Sequence, residues 1–243
     1  MRVLFSGQVP KDDNYPEAIE DAIEVDLLAS RAVLSDGASE SFDSKSWAQL
    51  LTKAFIRSAC QTPDWLEEII REYNAQYDLS KLSWSKFAAF ERGSFATLLG
   101  VEESSAQDSI RILNVGDCLA VFLDGVEFID SFPYNNSLQF QNRPELFCTN
   151  PAHNSFLDQL DFYAEHSMTW SVDRAEHPVV LCMTDALGEW AIKMEEEGDP
   201  QWENLLSITE ITQLEVLVIE EREKRRMRVD DVTLVSLAFC GVT

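Results

Sequence analysis

Short apolar runs with aspartates at their ends constrain this 243-residue chain more than any other feature of its sequence. Residues 32–34, 110–115, 119–123, 126–129, 179–183 and 232–239 have the length of strands and are too short for membrane spans. Asp124-Gly125 falls between two of these runs, as in a tight hairpin turn. Hairpin-linked strands pair antiparallel, which disfavours a doubly wound parallel sheet.

Helical patterns stand apart from the strands. Trp47, Leu50, Leu51, Ala54, Phe55 and Ser58 recur at helical spacing, with Asp43 or Ser44 as the cap. Thr62-Pro63 opens a second helix, with Trp65, Leu66, Ile69, Ile70 and Tyr73 on its buried face. A third covers about residues 207–227, and a short one follows Asp185. Strands and helices in separate blocks predict an α+β fold with helices covering sheets. No repeat or Pro/Gly/Ser-rich linker divides the chain, so residues 1–243 are expected to form a single domain. The polar segment 131–155 reads as a long surface connection and a place for partner recognition.

Composition narrows the partners. Nineteen basic against 43 acidic side chains give a net charge of −24. That charge repels phosphate backbones and anionic lipid, so neither nucleic acid nor a membrane is an expected partner; cations and basic surfaces are. Cys60, Cys118, Cys148, Cys182 and Cys240 are scattered, without a CxxC pair, and read as buried reduced thiols. With no apolar leader at the N-terminus, a cytoplasmic location is expected.

The acids fall where a sheet could gather them. Asp36 follows the first run, with Gly37 next to it. Asp117 follows the second, Asp185 closes residues 179–183, and Asp230-Asp231 opens the last. If the last strand runs antiparallel to the first and to the one before it, these acids meet at one sheet edge. Carboxylates so placed repel one another unless protons or metal ions compensate, and hard divalent ions take all-oxygen ligands.

Six segments in order carry a resemblance. They are Glu20-Asp21-Ala22, Ser35-Asp36-Gly37-Ala38-Ser39, Gly93-Ser94-Phe95-Ala96-Thr97, Asn114-Val115-Gly116-Asp117, Thr184-Asp185-Ala186-Leu187 and Asp230-Asp231-Val232-Thr233. Together they resemble the metal-dependent serine/threonine protein phosphatases of type 2C, in a bacterial-like form, over essentially the whole chain. The resemblance implies a four-layer αββα fold, a sandwich of two antiparallel β-sheets flanked by helices. It implies two Mn2+ or Mg2+ ions, with Asp36 bridging them, the Gly37 carbonyl on one, and Asp185 and Asp230 on the second. Glu20 and Asp21 would hold metal-bound waters. A third ion would fall to Asp117 and Glu189, where Glu189 replaces the usual Asp. The implied reaction is hydrolysis of phosphoserine or phosphothreonine in a protein substrate by a metal-activated water, so no side chain serves as nucleophile.

This chain also departs from the family pattern. The glycines that usually follow Asp-Gly are Ala38-Ser39-Glu40-Ser41 here, and Asp185 is followed by Ala186. Pro16 stands about where a phosphate-binding arginine is expected, and Lys11 can replace it only if its loop folds back. These changes keep a second reading open, a pseudophosphatase that binds a partner without turnover. The basic cluster Arg222, Lys224, Arg225, Arg226 and Arg228 reads as a solvated helix end, and Glu195-Glu196-Glu197 as surface. His153, His166 and His177 lack zinc-ligand spacing, and Trp47, Phe55 and Trp65 read as core.

Overall fold

The apolar runs become strands with nearly the expected bounds. The computed structural model describes residues 1–12, 14–59 and 62–240. One sheet contains β1 (Arg2–Val9), β7 (Leu119–Asp124), β8 (Glu127–Phe132), β11 (Pro178–Met183) and β12 (Val232–Ala238), in the order β1-β12-β11-β7-β8. The other contains β2 (Ala22–Asp26), β3 (Arg31–Ser35), β5 (Leu98–Glu103), β6 (Ser109–Val115) and β10 (Ser167–Ser171), in the order β10-β6-β5-β3-β2. A short ladder joins β4 (Phe95–Ala96) to β9 (Phe147–Cys148). Every pairing is antiparallel.

Helices cover both outer faces. On the β3 side lie α1 (Ser44–Arg57), α2 (Pro63–Asn74) and α3 (Trp84–Arg92), with α4 (Phe162–His166) beside β6 and β10. On the β11 side lie α5 (Asp185–Glu196), α6 (Trp202–Ser207) and α7 (Ile211–Glu223). The caps follow the sequence: Asp43 accepts from the Ser46 amide, and Thr62 accepts from the Trp65 amide with Pro63 next in the chain.

Three apolar layers hold the stack together. Leu34, Val101, Ile112, Phe122, Val180 and Leu237 fill the space between the sheets. Trp47, Leu51, Phe55 and Tyr73 pack under one set of helices, and Leu181, Leu187, Trp190 and Leu214 under the other. Strand β7 serves two of these layers by alternation: Leu119, Val121 and Leu123 face the helices, while Ala120 and Phe122 face the second sheet. Both faces are covered, which explains why its sequence is apolar without interruption.

Several expectations need correction. The last strand pairs with β1 and β11, whereas β3, the first run read from the sequence, lies in the facing sheet. The acids therefore meet across two sheets, not along one edge. The segment 131–155 is not simply a surface connection, since Phe140, Phe147 and Cys148 within it are buried and β9 pairs with β4. The helix expected over residues 207–227 is α7 alone, and the short one after Asp185 extends to Glu196. Trp65 is only partly buried. Cys118, Cys148 and Cys182 are buried free thiols, but Cys240 is exposed; Cys60 lies outside the described residues.

Candidate functional site

Both sheets send carboxylates to the same end of the sandwich. A cavity of about 220 Å3 there is lined by Asp36, Gly37, Asp117, Asp185 and Asp230, with Pro144 and Leu146 on its wall. Asp36 follows β3, and Asp117 lies in the turn from β6 to β7. Asp185 begins α5 directly after β11, and Asp230 precedes β12.

The backbone around Asp36 is pinned by the Gly93–Thr97 motif. The Asp36 amide donates to Thr97 Oγ1 at 2.8 Å, the Thr97 amide donates to the Asp36 carbonyl at 2.9 Å, and the Ala38 amide donates to the Phe95 carbonyl at 2.9 Å. Gly37 is tightly enclosed, because a Cβ there would stand 2.9 Å from the Glu20 carbonyl. Gly116 adopts a φ of 120° in the turn that delivers Asp117, a conformation that favours glycine.

Threonines join the opposite sheet. The Thr233 amide donates to Thr184 Oγ1 at 2.9 Å, and Thr233 Oγ1 donates to Asp21 Oδ2 at 2.6 Å. Asp231 accepts from the Lys11 amide at 2.7 Å and the Glu20 amide at 2.9 Å. It thus folds the β1–β2 loop back toward the site. Lys11 Nζ donates to Glu20 Oε2 at 2.7 Å and to Ser39 Oγ at 2.6 Å, placing an ammonium at the cavity's edge. The condition attached to Lys11 is met.

The electrostatics are those of under-compensated anions. Burial, with Asp117 and Asp230 nearby, pushes the Asp36 carboxyl up to about 7. Burial and the neighbouring Asp36 raise Asp21 well above the ordinary aspartate range, and burial raises Asp117. Burial also raises Glu189. Glu20 behaves differently: burial pushes it up, but hydrogen bonds from Lys11, Ser39 and Ser44 outweigh this and hold it below the usual value. Asp21 Oδ1 and Asp185 Oδ1 are buried without a hydrogen-bond partner.

One cation already stands in this field. Arg228 pairs with Asp185 and lies 3.8 Å from Glu189. The basic cluster is therefore not a solvated helix end. Lys224 and Arg226 bind the buried Glu221, Arg222 donates to the Pro10 and Asp230 carbonyls, and Arg228 reaches the acids. Nor is Glu195 merely surface, since it accepts from Trp202 Nε1 at 2.6 Å. Reading the cluster only as a run of charge concealed Arg228, although its position two residues before Asp230 was the available signal.

The cavity brings together Asp36, Gly37, Asp117, Asp185 and Asp230; Glu20, Asp21 and Glu189 stand behind or beside it. Among the described residues, no three acidic, histidine or cysteine side chains form a ready-made ion cage. The donor set nevertheless fits a hard divalent cation: its donors are oxygens, its charge is under-compensated, and one Asp185 oxygen is buried and unpartnered.

Solved structures with the same architecture include a bacterial serine phosphatase, 14% identical over 98% of each chain with a TM-score of 0.59. The Mycobacterium tuberculosis serine/threonine phosphatase PstP/Ppp is 16% identical over 99% of this chain and 100% of its own, with a TM-score of 0.55. The fold is that of the type 2C phosphatases. Staphylococcus aureus Stp1, a serine/threonine phosphatase, shares this type 2C fold at 14% identity, over 97% of this chain and 95% of its own, with a TM-score of 0.57. No protein-family model and no curated protein matches the sequence. Among the described residues, no helix is long and apolar enough to cross a membrane.

Proposed function

We propose that this chain, acting as one domain, is a metal-dependent phosphatase that hydrolyses phosphoserine or phosphothreonine in a protein substrate. The observation that carries the reading is the convergence of Asp36, Gly37, Asp117, Asp185 and Asp230 on one cavity from two sheets, with Asp36 shifted to about 7. Asp36, the Gly37 carbonyl, Asp185 and Asp230 would hold two Mn2+ or Mg2+ ions. Glu20 and Asp21 would orient water, and Asp117 with Glu189 would serve a third ion. Such ions, when bound, supply Lewis-acid polarisation of the phosphoryl group and a nucleophile at neutral pH.

The chain's own residues do the remaining work. Asp231 holds the β1–β2 loop so that Glu20 faces the site. Lys11 offers a positive charge at the rim, in the role of the missing arginine. Pro144 and Leu146 give the cavity an apolar wall.

Calorimetric titration of Mn2+ into the chelated protein, beside hydrolysis of an aryl phosphate and a phosphothreonine peptide, tests the reading. Binding and turnover should saturate together. Failure to bind metal overturns it, while binding without turnover supports the pseudophosphatase. That second reading is favoured by one observation, the Arg228–Asp185 pair.

The same pair makes a prediction. With a guanidinium on Asp185, an incoming cation has to displace like charge. Arg228→Gln should therefore tighten Mn2+ binding by about tenfold or less, the range of a partly exposed ion pair. Calorimetry on the variant checks this, and unchanged affinity would count against competition at Asp185.

A further inference from the structure

Beside the carboxylate cavity opens a larger one of about 500 Å3, and the two share Ala38 and Leu146 as a common wall. Its surface is largely apolar, with Phe42 and Phe95 among its lining, and its charged groups include Arg92 and Arg143. His153, tilted against Phe95 at 5.3 Å between ring centroids, belongs to the same wall.

Both arginines are exposed, and neither forms an ion pair with any described residue. Arg31, Arg57, Arg111, Arg174, Arg226 and Arg228 pair with carboxylates, so six guanidiniums are already compensated, whereas Arg92 and Arg143 stand together on one cavity without such a partner. The one acid lining the cavity, Glu40, is exposed and pairs with neither arginine. Two available guanidiniums over an apolar floor suit an extended peptide that carries an anionic side chain. Because Ala38 and Leu146 line both cavities, a peptide seated in the larger one adjoins the carboxylate site.

We propose that this cavity is a specificity subsite for an acidic residue flanking the phosphorylated residue of the substrate, recognised by Arg92 and Arg143. The proposal rests on the phosphatase reading for the identity of the adjoining residue. It adds the substrate class, acid-flanked phosphopeptides. It also gives a protein of net charge −24 a local means of attracting an anionic partner.

The test measures fluorescence anisotropy of two labelled phosphothreonine peptides, one flanked by glutamates and one by glutamines, on the wild-type protein and on the Arg92→Glu, Arg143→Glu double variant. The wild type should bind the glutamate peptide about tenfold more tightly than the glutamine peptide, with a ratio that shrinks as salt rises. In the double variant the ratio should fall to one or reverse. An equal affinity for both peptides in the wild type, or a preference that survives in the double variant, overturns the subsite. The readout is binding, so loss of the phosphatase reading stays distinguishable: a wild type that discriminates between the peptides yet hydrolyses neither keeps the subsite and loses the enzyme.

Discussion

Asp36→Asn should abolish metal-dependent hydrolysis, with a loss of at least about a hundredfold in turnover of a phosphothreonine peptide. Asp36 is held by the hydrogen bonds of its own amide and carbonyl to Thr97, so the amide side chain would sit where the carboxylate sat. The substitution changes charge and little else. It removes an acid that burial, Asp117 and Asp230 raise, and it takes one negative charge from the proposed ligand set. Metal affinity measured by calorimetry should fall together with turnover. Wild-type turnover in the variant would refute the assignment of Asp36 as the shared ligand. Turnover lost at undiminished affinity would move its role from holding ions to acting on the substrate.

The second large effect concerns pH and needs no substrate. In chelated protein, stability should fall as pH rises between about 5 and 7. The sign follows from the proton balance. An unfolded aspartate releases its proton near 3.8, whereas folded Asp36 keeps its own up to about 7. Within that interval the folded chain binds more protons, so raising the pH favours unfolding. Asp21 and Asp117, both raised, act in the same direction. Glu20 and Glu221, held below the usual glutamate value, act in the opposite direction, but their contribution is lost only as pH falls below the interval. The Asp36 contribution is on the order of a few kcal/mol, which in a chain this long lowers the melting temperature by about 10 °C. Thermal melts at pH 5, 6 and 7 with a chelator give the slope, and Asp36→Asn should flatten it. Saturating Mn2+ should reverse the trend, because deprotonated acids bind the cation. A flat or rising profile in chelated wild-type protein would contradict the uncompensated charge.

Much of this site was legible from residue types, but not its assembly. Buried strands such as β7 and β11 announce themselves because both of their faces are apolar. Strand β1 escaped notice because Ser6, Gly7 and Gln8 interrupt it, and β2 because Glu24 and Asp26 do. Both lie at sheet edges, where one side has no strand to match. Missing β1 is what put β3 beside the last strand. Asp36, Asp117, Asp185 and Asp230 could be named because each ends or begins a readable run, whereas Glu20, Asp21 and Glu189 were named through the resemblance alone. Arg228 went unread although it stands two residues before Asp230, because its partner Asp185 is 43 positions away and a cluster of basic residues after acidic ones has a sufficient local explanation. Asp231 was visible only as an acid opening the last run, and Thr233 only as part of a motif. Their work, fastening the β1–β2 loop and joining β12 to Asp21, is a property of the tertiary structure.

The layer between the sheets has a consequence beyond stability. Asp36 belongs to the end of one sheet, and Asp185 and Asp230 to the ends of the other, so no single sheet fixes their separation. The thickness of the packing around Phe122, Val180 and Leu237 does. This interior works as a spacer gauge: a methyl group added or removed there shifts one bank of carboxylates relative to the other. Natural variation in such a layer can therefore change the separation of the proposed ligands from a distance, with the acids themselves left untouched.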